Sequence, residues 1–123
     1  MVEVELRGVS KRFGRVTAIN KVDLVFRDGS FTALLGPSGS GKSTLLYLIA
    51  GIYKPTEGRI LFDGEDVTEL MPNERNVGLV FQNYALYPHM TVYDNIAFPL
   101  RLRREDPSVI DGKVKMVAKT LHI

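Results

Sequence analysis

The glycine-rich segment Gly36–Thr44 lies between two apolar runs and constrains the fold more than any other part of the chain. It matches the pattern G-x-x-x-x-G-K-[S/T] of a phosphate-binding loop. Gly36 and Gly41 have no Cβ, so consecutive backbone N–H groups can turn inward and approach phosphate oxygens. Lys42 would bind the β- and γ-phosphates, and the Ser43 hydroxyl would ligate the Mg²⁺ that they carry. We therefore expect a nucleoside triphosphate site here.

The segments on either side agree with this interpretation. Phe31–Leu35 is an apolar run of strand length, and Leu45–Ala50 is apolar on every face, as in a helix packed under a sheet. Gly51 then predicts the helix end, with Pro55 shortly after it. A strand, a glycine loop and a helix bring backbone N–H groups and the positive helix end to one point.

The residues predicted to bind the nucleotide in this loop are Gly36, Pro37, Ser38, Gly39, Ser40, Gly41, Lys42, Ser43 and Thr44. A Gly/Ser-rich surface loop without a ligand is the alternative. The Lys-Ser pair and the two flanking elements favour the phosphate site.

Composition limits the other possibilities. At 123 residues the chain forms at most one domain. Sixteen basic and fourteen acidic residues give a net charge of +2, with both signs interspersed, which does not indicate a nucleic-acid or anionic-membrane surface. Arg101–Arg104 is locally basic, but Glu105 and Asp106 follow it, so we interpret it as a solvated junction. The absence of cysteine excludes disulfides and suits a reducing compartment.

Further elements follow from local pattern. Val2–Arg7 alternates apolar and charged residues as an exposed strand does. Val22–Phe26 is a strand candidate, and the turn signal Asp28-Gly29 predicts an antiparallel hairpin with Phe31–Leu35. Asn76–Phe81 predicts another buried strand.

Helix signals mark the second half of the chain. Thr91 and Asp94 have capping-box spacing and predict a short helix that stops before Pro99. Asp106 followed by Pro107 predicts the start of a last helix. One face of that helix would carry four apolar residues, Ile110, Val114, Val117 and Leu121.

Over essentially its whole length the chain resembles the N-terminal half of an ABC-transporter ATPase, most closely those of maltose-type and multiple-sugar importers. Besides the phosphate loop, Lys11–Gly14 and the more specific block Met71–Ile96 carry the resemblance. It implies an α/β fold: a P-loop NTPase core with an N-terminal antiparallel β subdomain and the start of an α-helical subdomain. Residues 1–82 would form the β subdomain and the phosphate loop, and residues 83–123 the Q-loop and the start of the helical subdomain.

The resemblance also assigns roles to single residues. It implies that Phe13 stacks on adenine and that Gln82 contacts Mg²⁺ and the attacking water. Packing of Phe13 under the hairpin is the alternative for the ring. For Gln82 the alternative is a polar residue that merely ends a strand.

The residues after Gln82 form an aromatic, partly apolar loop, as expected of a partner-binding surface. By resemblance they would lie against the coupling helices of the membrane subunits. The predicted docking residues are Tyr84, Tyr87, Pro88 and His89. Burial in the interior is the alternative.

Several parts of the family's hydrolytic machinery do not occur in the chain. These are the acidic residue that ends an apolar strand, the adjacent carboxylate, the Gly-rich signature helix and the switch histidine. Ile60–Asp63 imitates the acidic strand, but Asp63-Gly64 is a turn signal, so we interpret it as a hairpin turn. The complete domain is therefore expected to be an ATP hydrolase, whereas the chain is expected to be truncated before the hydrolytic motifs.

The sequence thus predicts a MgATP-binding subunit at the cytoplasmic face of the cell membrane. It would couple ATP hydrolysis to the import of a substrate, with sugars as the first candidate. Its partners would be transmembrane permease subunits and a second ATPase subunit. A polyamine or iron importer, a nucleotide-binding module without catalysis, and a non-functional remnant are alternatives. A DNA-repair ATPase would require a long coiled-coil pattern after Gln82, and Pro99 argues against one.

Overall fold

The computed structural model describes residues 2–123, which form two compact units. The first unit ends at Leu79, and the second runs from Val80 to Ile123. In chain order the elements are β1 (Val4–Phe13), β2 (Val16–Phe26), α1 (Lys42–Ala50), β3 (Glu57–Phe62), β4 (Glu65–Asp66), α2 (Val92–Leu102) and α3 (Pro107–Leu121). The strands and α1 belong to the first unit, and α2 and α3 to the second.

The strands of the described chain form one antiparallel sheet in the order β2-β1-β3-β4. β1 and β2 make a long hairpin in which Phe13 pairs with Val16 next to the connecting turn. The predicted N-terminal strand is present as β1, but one of its faces is buried, with Leu6 and Val9 fully enclosed. The turn at Asp63 joins β3 to β4, as the sequence predicts.

The predicted strand Phe31–Leu35 is wrong, and so is its hairpin with Val22–Phe26. Val22–Phe26 does lie in β2, but its partner is β1. The run 31–35 has no regular structure, and Phe31 and Leu35 are 97% and 92% exposed. An apolar run becomes a strand only where a neighbour satisfies its N–H and C=O groups, and no described strand pairs with this one.

The predicted buried strand Asn76–Phe81 is wrong for the same reason. Asn76 ends a turn with a φ of 52°, and the residues after it pair with no described strand. Val80 is consequently 84% exposed.

α1 packs across the sheet and closes the core of the first unit. The core residues are Leu6, Val9, Ile19, Leu45, Leu48, Ile60, Phe62 and Val67. α1 buries Leu45, Leu48 and Ala50, whereas Leu46 is half exposed, so the predicted burial on every face is wrong for this helix. Gly51 ends α1 in the left-handed conformation that the sequence predicts.

The second unit is a helical hairpin. The Thr91 hydroxyl accepts a hydrogen bond from the Asp94 N–H at 3.0 Å, so the predicted cap of α2 is confirmed. Asp106 caps α3 in the same way, through the Ser108 N–H at 2.9 Å. The predicted helix end before Pro99 is wrong, because α2 continues to Leu102.

Packing explains why α2 passes through Pro99. Proline removes one helical hydrogen bond, but Ala97 on the inner face packs fully buried against Ile110 and Val114 of α3. Leu121, predicted for the same face of α3, is 60% exposed. None of the helices formed by residues 2–123 combines the length and the apolar character needed to cross a bilayer.

Candidate functional site

The phosphate loop leads directly into α1, whose N-terminal end has no side-chain cap. Gly41 occupies the N-cap position with a φ of 87°, and no acidic residue lies in the first turn. The Leu45 N–H donates to the Gly41 carbonyl at 2.9 Å and begins the helical bonding. The positive end of the helix dipole therefore faces the loop without a carboxylate beside it, as an anion site requires.

The two glycines of the motif are fixed by close contacts. A Cβ on Gly41 would lie 2.7 Å from the Ala18 carbonyl oxygen and 2.9 Å from Ile19 Cδ1, both in β2. A Cβ on Gly36 would lie 2.7 Å from Ser40 Oγ. A larger residue at Gly41 would push the loop away from β2, and one at Gly36 would displace the Ser40 side chain.

The Lys42 ammonium lies across this loop and holds it closed. Its Nζ donates to the carbonyl oxygens of Gly36 and Pro37 at 2.8 and 2.6 Å, and to Ser40 Oγ at 3.0 Å. All three acceptors are neutral, so the positive charge is hydrogen-bonded but not neutralised by them. The arrangement places a cation and an uncapped helix end at the same loop.

Hydroxyl groups follow Lys42 in the first turn of α1. Ser43 is exposed and Thr44 is half-buried. Residues 2–123 contain no group of three His, Cys, Asp or Glu side chains that could hold a metal ion. A hydroxyl oxygen suits Mg²⁺, which keeps several of its waters and is commonly bound through a substrate's phosphates. These residues therefore fit an ion carried by a nucleotide.

Phe13 lies on the hairpin whose second strand contacts the loop. It pairs with Val16, and Ala18, two residues further along β2, contacts Gly41. At a rise of about 3.4 Å per residue, Val16 is about 7 Å along the strand from that contact. Phe13 is 42% exposed, and its ring meets the Tyr53 ring nearly edge-on, with centroids 5.2 Å apart.

Gln82 lies in the second unit, whereas Phe13 and residues 36–44 lie in the first. It is exposed and occupies a turn in which Tyr84 and Ala85 have positive φ angles of 61° and 51°. It does not end a strand, because the run before it forms none.

The predicted docking residues follow in the same unit, and an unpredicted residue organises them. Asn95, in α2, accepts from the Tyr87 N–H at 2.9 Å and donates to the Thr91 carbonyl at 2.9 Å. The Tyr87 ring packs on Phe98 with centroids 5.1 Å apart. Tyr84 is 75% exposed, and Pro88 and His89 are also exposed, so interior packing does not account for this loop.

Arg75 is a second residue whose role the sequence pattern did not show. It is only 5% exposed, although it is an arginine. Its guanidinium donates to backbone carbonyls at 2.9–3.0 Å, those of Leu48, Ile49, Thr68 and Leu70. Burial lowers the pKa of Arg75, and the Glu69 carboxylate opposes that shift. The guanidinium thus binds the C-terminal end of α1, where the helix dipole is negative.

Gly51 makes room for this contact. A Cβ there would lie 2.7 Å from Arg75 Nε, and the φ of 84° also favours glycine. The helix end and the segment 68–75 are therefore joined through one buried side chain.

Comparison with known proteins places the chain in a family. The family model described as "ABC transporter" matches residues 19–123. The chain belongs to the ABC transporter family. The resemblance predicted from the phosphate loop and from Met71–Ile96 is thus confirmed.

Curated relatives of this ABC protein are named as transport or import ATP-binding proteins with different cargoes. The sulfate/thiosulfate import ATP-binding protein CysA 1 of Agrobacterium fabrum is 57% identical over 126 residues. The alpha-glucoside transport ATP-binding protein AglK of Rhizobium meliloti is 46% identical over 123 residues, and the spermidine/putrescine import protein PotA of Nitrosospira multiformis 47%. These matches cover 99–100% of the chain but 34–36% of each relative, so the chain spans about a third of their length.

Solved structures agree on the fold. The ATP-binding cassette MJ0796, in a dimeric post-hydrolysis state with ADP and Pi, matches with a TM-score of 0.86 and 31% identity. The match covers 98% of the chain and 57% of the cassette chain. The predicted fold class, a P-loop NTPase fold with an antiparallel β sheet and helices, is confirmed.

Replacement of Arg75 tests its role at the end of α1. Arg75→Met keeps an apolar stem but leaves buried carbonyls without a donor, so the free energy of unfolding should fall by about 3 kcal/mol or more. Urea denaturation followed by circular dichroism measures this change. Arg15→Met, in the exposed hairpin turn, is the control and should be nearly neutral. Equal stabilities of the two variants would contradict the assignment.

Proposed function

We propose that this chain binds MgATP through residues 36–44. The observation that carries the proposal is the glycine-enforced loop at the uncapped end of α1, with the Lys42 ammonium held across it by neutral acceptors. Phosphate oxygens carry charge and accept hydrogen bonds more strongly than carbonyl groups do. A triphosphate would therefore draw Lys42 from the Gly36 and Pro37 carbonyls and take their place.

We propose that three further residues complete the nucleotide site. Phe13, next to the turn between β1 and β2, would stack on the base. Ser43 would ligate Mg²⁺, and Gln82 would contact the ion and the attacking water. Stacking reads only the face of a base, so discrimination between ATP and GTP should be weak.

Hydrolysis is proposed for the complete domain. Phosphoryl transfer to water depends on positioning and on neutralisation of charge. Lys42, Ser43 and Gln82 would contribute those functions, and the carboxylate that orients water would come from elsewhere in the domain. Residues 1–82 would then act as the β subdomain with the phosphate loop, and residues 83–123 as the Q-loop and the start of the helical subdomain.

We further propose that the complete protein drives import through permease subunits and works with a second ATPase subunit, at the cytoplasmic face of the cell membrane. The names of two relatives, PotA and CysA 1, support an importer, and the dimeric cassette supports a paired arrangement. Sugars are the first candidate for the transported substrate. Sulfate and polyamines are second candidates, because relatives of equal or higher identity are named for them.

Lys42→Ala tests the nucleotide proposal. It removes a cationic donor to the phosphates. A hydrogen bond to a charged group is typically worth about 1.5–3 kcal/mol, so ATP affinity should fall at least about tenfold. Titration with a fluorescent ATP analogue measures the affinity. The matched control is Lys119→Ala, at an exposed position in the last turn of α3. If both variants bind as the unaltered chain does, residues 36–44 are not the phosphate site.

The docking loop is tested in the complete transporter. A cysteine placed at Tyr87 has no native thiol in this chain to compete with it. Oxidation should join it to one or two cysteines placed along the cytoplasmic loops of the permease, because disulfides need Cα atoms within about 7 Å. The yield should change with bound nucleotide. If a cysteine at Val25, on the sheet, cross-links to the permease and one at Tyr87 does not, the docking surface lies on another face.

A further inference from the structure

Two side chains hold the Phe13 ring in place. Tyr53 meets it nearly edge-on, with centroids 5.2 Å apart and an angle of 73° between the ring planes. The Lys11 ammonium lies 5.1 Å from the Phe13 centroid and 5.6 Å from the Tyr53 centroid. Phe13 nevertheless remains 42% exposed. The ring is thus fixed by neighbours while part of it stays open to a ligand.

These contacts tie the hairpin tip to the helix that carries the phosphate loop. Lys11 Nζ donates to the Lys54 carbonyl at 2.8 Å. The Tyr53 N–H donates to the Tyr47 carbonyl of α1 at 3.2 Å, and the two tyrosine rings pack 5.5 Å apart. Lys42 stands at the other end of α1, so one helix connects the cation of the loop to the support of the Phe13 ring.

A second connection reinforces the first. The Arg12 N–H donates to Thr56 Oγ1 at 3.0 Å, and the Thr56 N–H donates to the Ser10 carbonyl at 2.8 Å. The end of β1 is therefore bonded on both sides of Lys11 to the segment that follows α1. The backbone that carries Phe13 cannot shift without breaking these bonds.

A ring held in this way has a defined stacking face. The ammonium is attracted to the π-face over which it lies, and the edge-on tyrosine limits rotation of the ring. A base can then stack only on the remaining exposed face. Because the ring is already ordered, less side-chain entropy is lost when a ligand binds, and the affinity is correspondingly higher.

We propose that Lys11 and Tyr53 are positioning residues that orient Phe13 for the base of the nucleotide, an inference that rests on the proposed nucleotide binding. They act through Phe13 and not through the phosphates. Their loss should weaken ligands that have a base and spare ligands that have none.

The test compares MgATP with Mg-tripolyphosphate, which carries phosphates but no base. Tyr53→Leu and Lys11→Met should each weaken MgATP binding about threefold to tenfold, as expected for loss of one pre-ordered side chain. Tripolyphosphate affinity, measured by calorimetry, should stay unchanged, which also shows that the phosphate loop is folded in each variant. Phe13→Ala is the reference and should show the same selective loss. Tyr53→Phe and Lys11→Arg keep the ring and the cation, and should bind MgATP as the unaltered chain does.

Lys54→Met is the matched control for charge. Lys54 is adjacent to the cluster, but its ammonium binds the Glu69 carboxylate at 2.6 Å, so neither affinity should change. A selective loss with Phe13→Ala, but none with Lys11→Met and Tyr53→Leu, would overturn the positioning role and leave nucleotide binding intact. An equal loss for both ligands would also overturn it, since the residues would then act on the whole fold. If the unaltered chain binds neither ligand, the proposed function fails first, and this inference fails with it.

Discussion

The contact between Gly41 and the Ala18 carbonyl is the constraint on which the proposed site depends. Because Gly41 has no Cβ, β2 lies directly against the N-terminal end of α1 and fixes the phosphate loop to the sheet. The strand that makes this contact also pairs, through Val16, with Phe13 at the end of β1. The residues proposed for the base and for the phosphates therefore lie in the same compact unit.

α1 is bound by a different cation at each end. Arg75 is buried and satisfies carbonyls at the C-terminal end, where the helix dipole is negative. At the positive end, Lys42 bonds to the loop and not to a carboxylate. One end is thus closed by a permanent structural contact, whereas the other is held by bonds that a stronger acceptor can replace. This difference suits a helix that is anchored at one end and binds a ligand at the other.

Local features of the fold could be predicted from sequence, and features that need distant partners could not. The caps at Thr91 and Asp106 are set by residues within three positions, so a pattern identifies them. The run Phe31–Leu35 needed a neighbouring strand, which no local pattern shows. Arg75 bonds to carbonyls 26 and 27 residues away, and backbone acceptors leave no signature in a sequence. The glycine-rich motif could be recognised because all its residues lie within positions 36–44.

The most direct measurement of the central claim is a ¹H–¹⁵N NMR titration of the chain with MgATP. Binding in the glycine loop should shift the amide signals of residues 36–44, and stacking on Phe13 should shift those of the β1–β2 turn. The Phe13 ring protons should move upfield at the same ligand concentrations. Amide shifts confined to other parts of the sheet or to α3, with residues 36–44 unchanged, would contradict the proposed site.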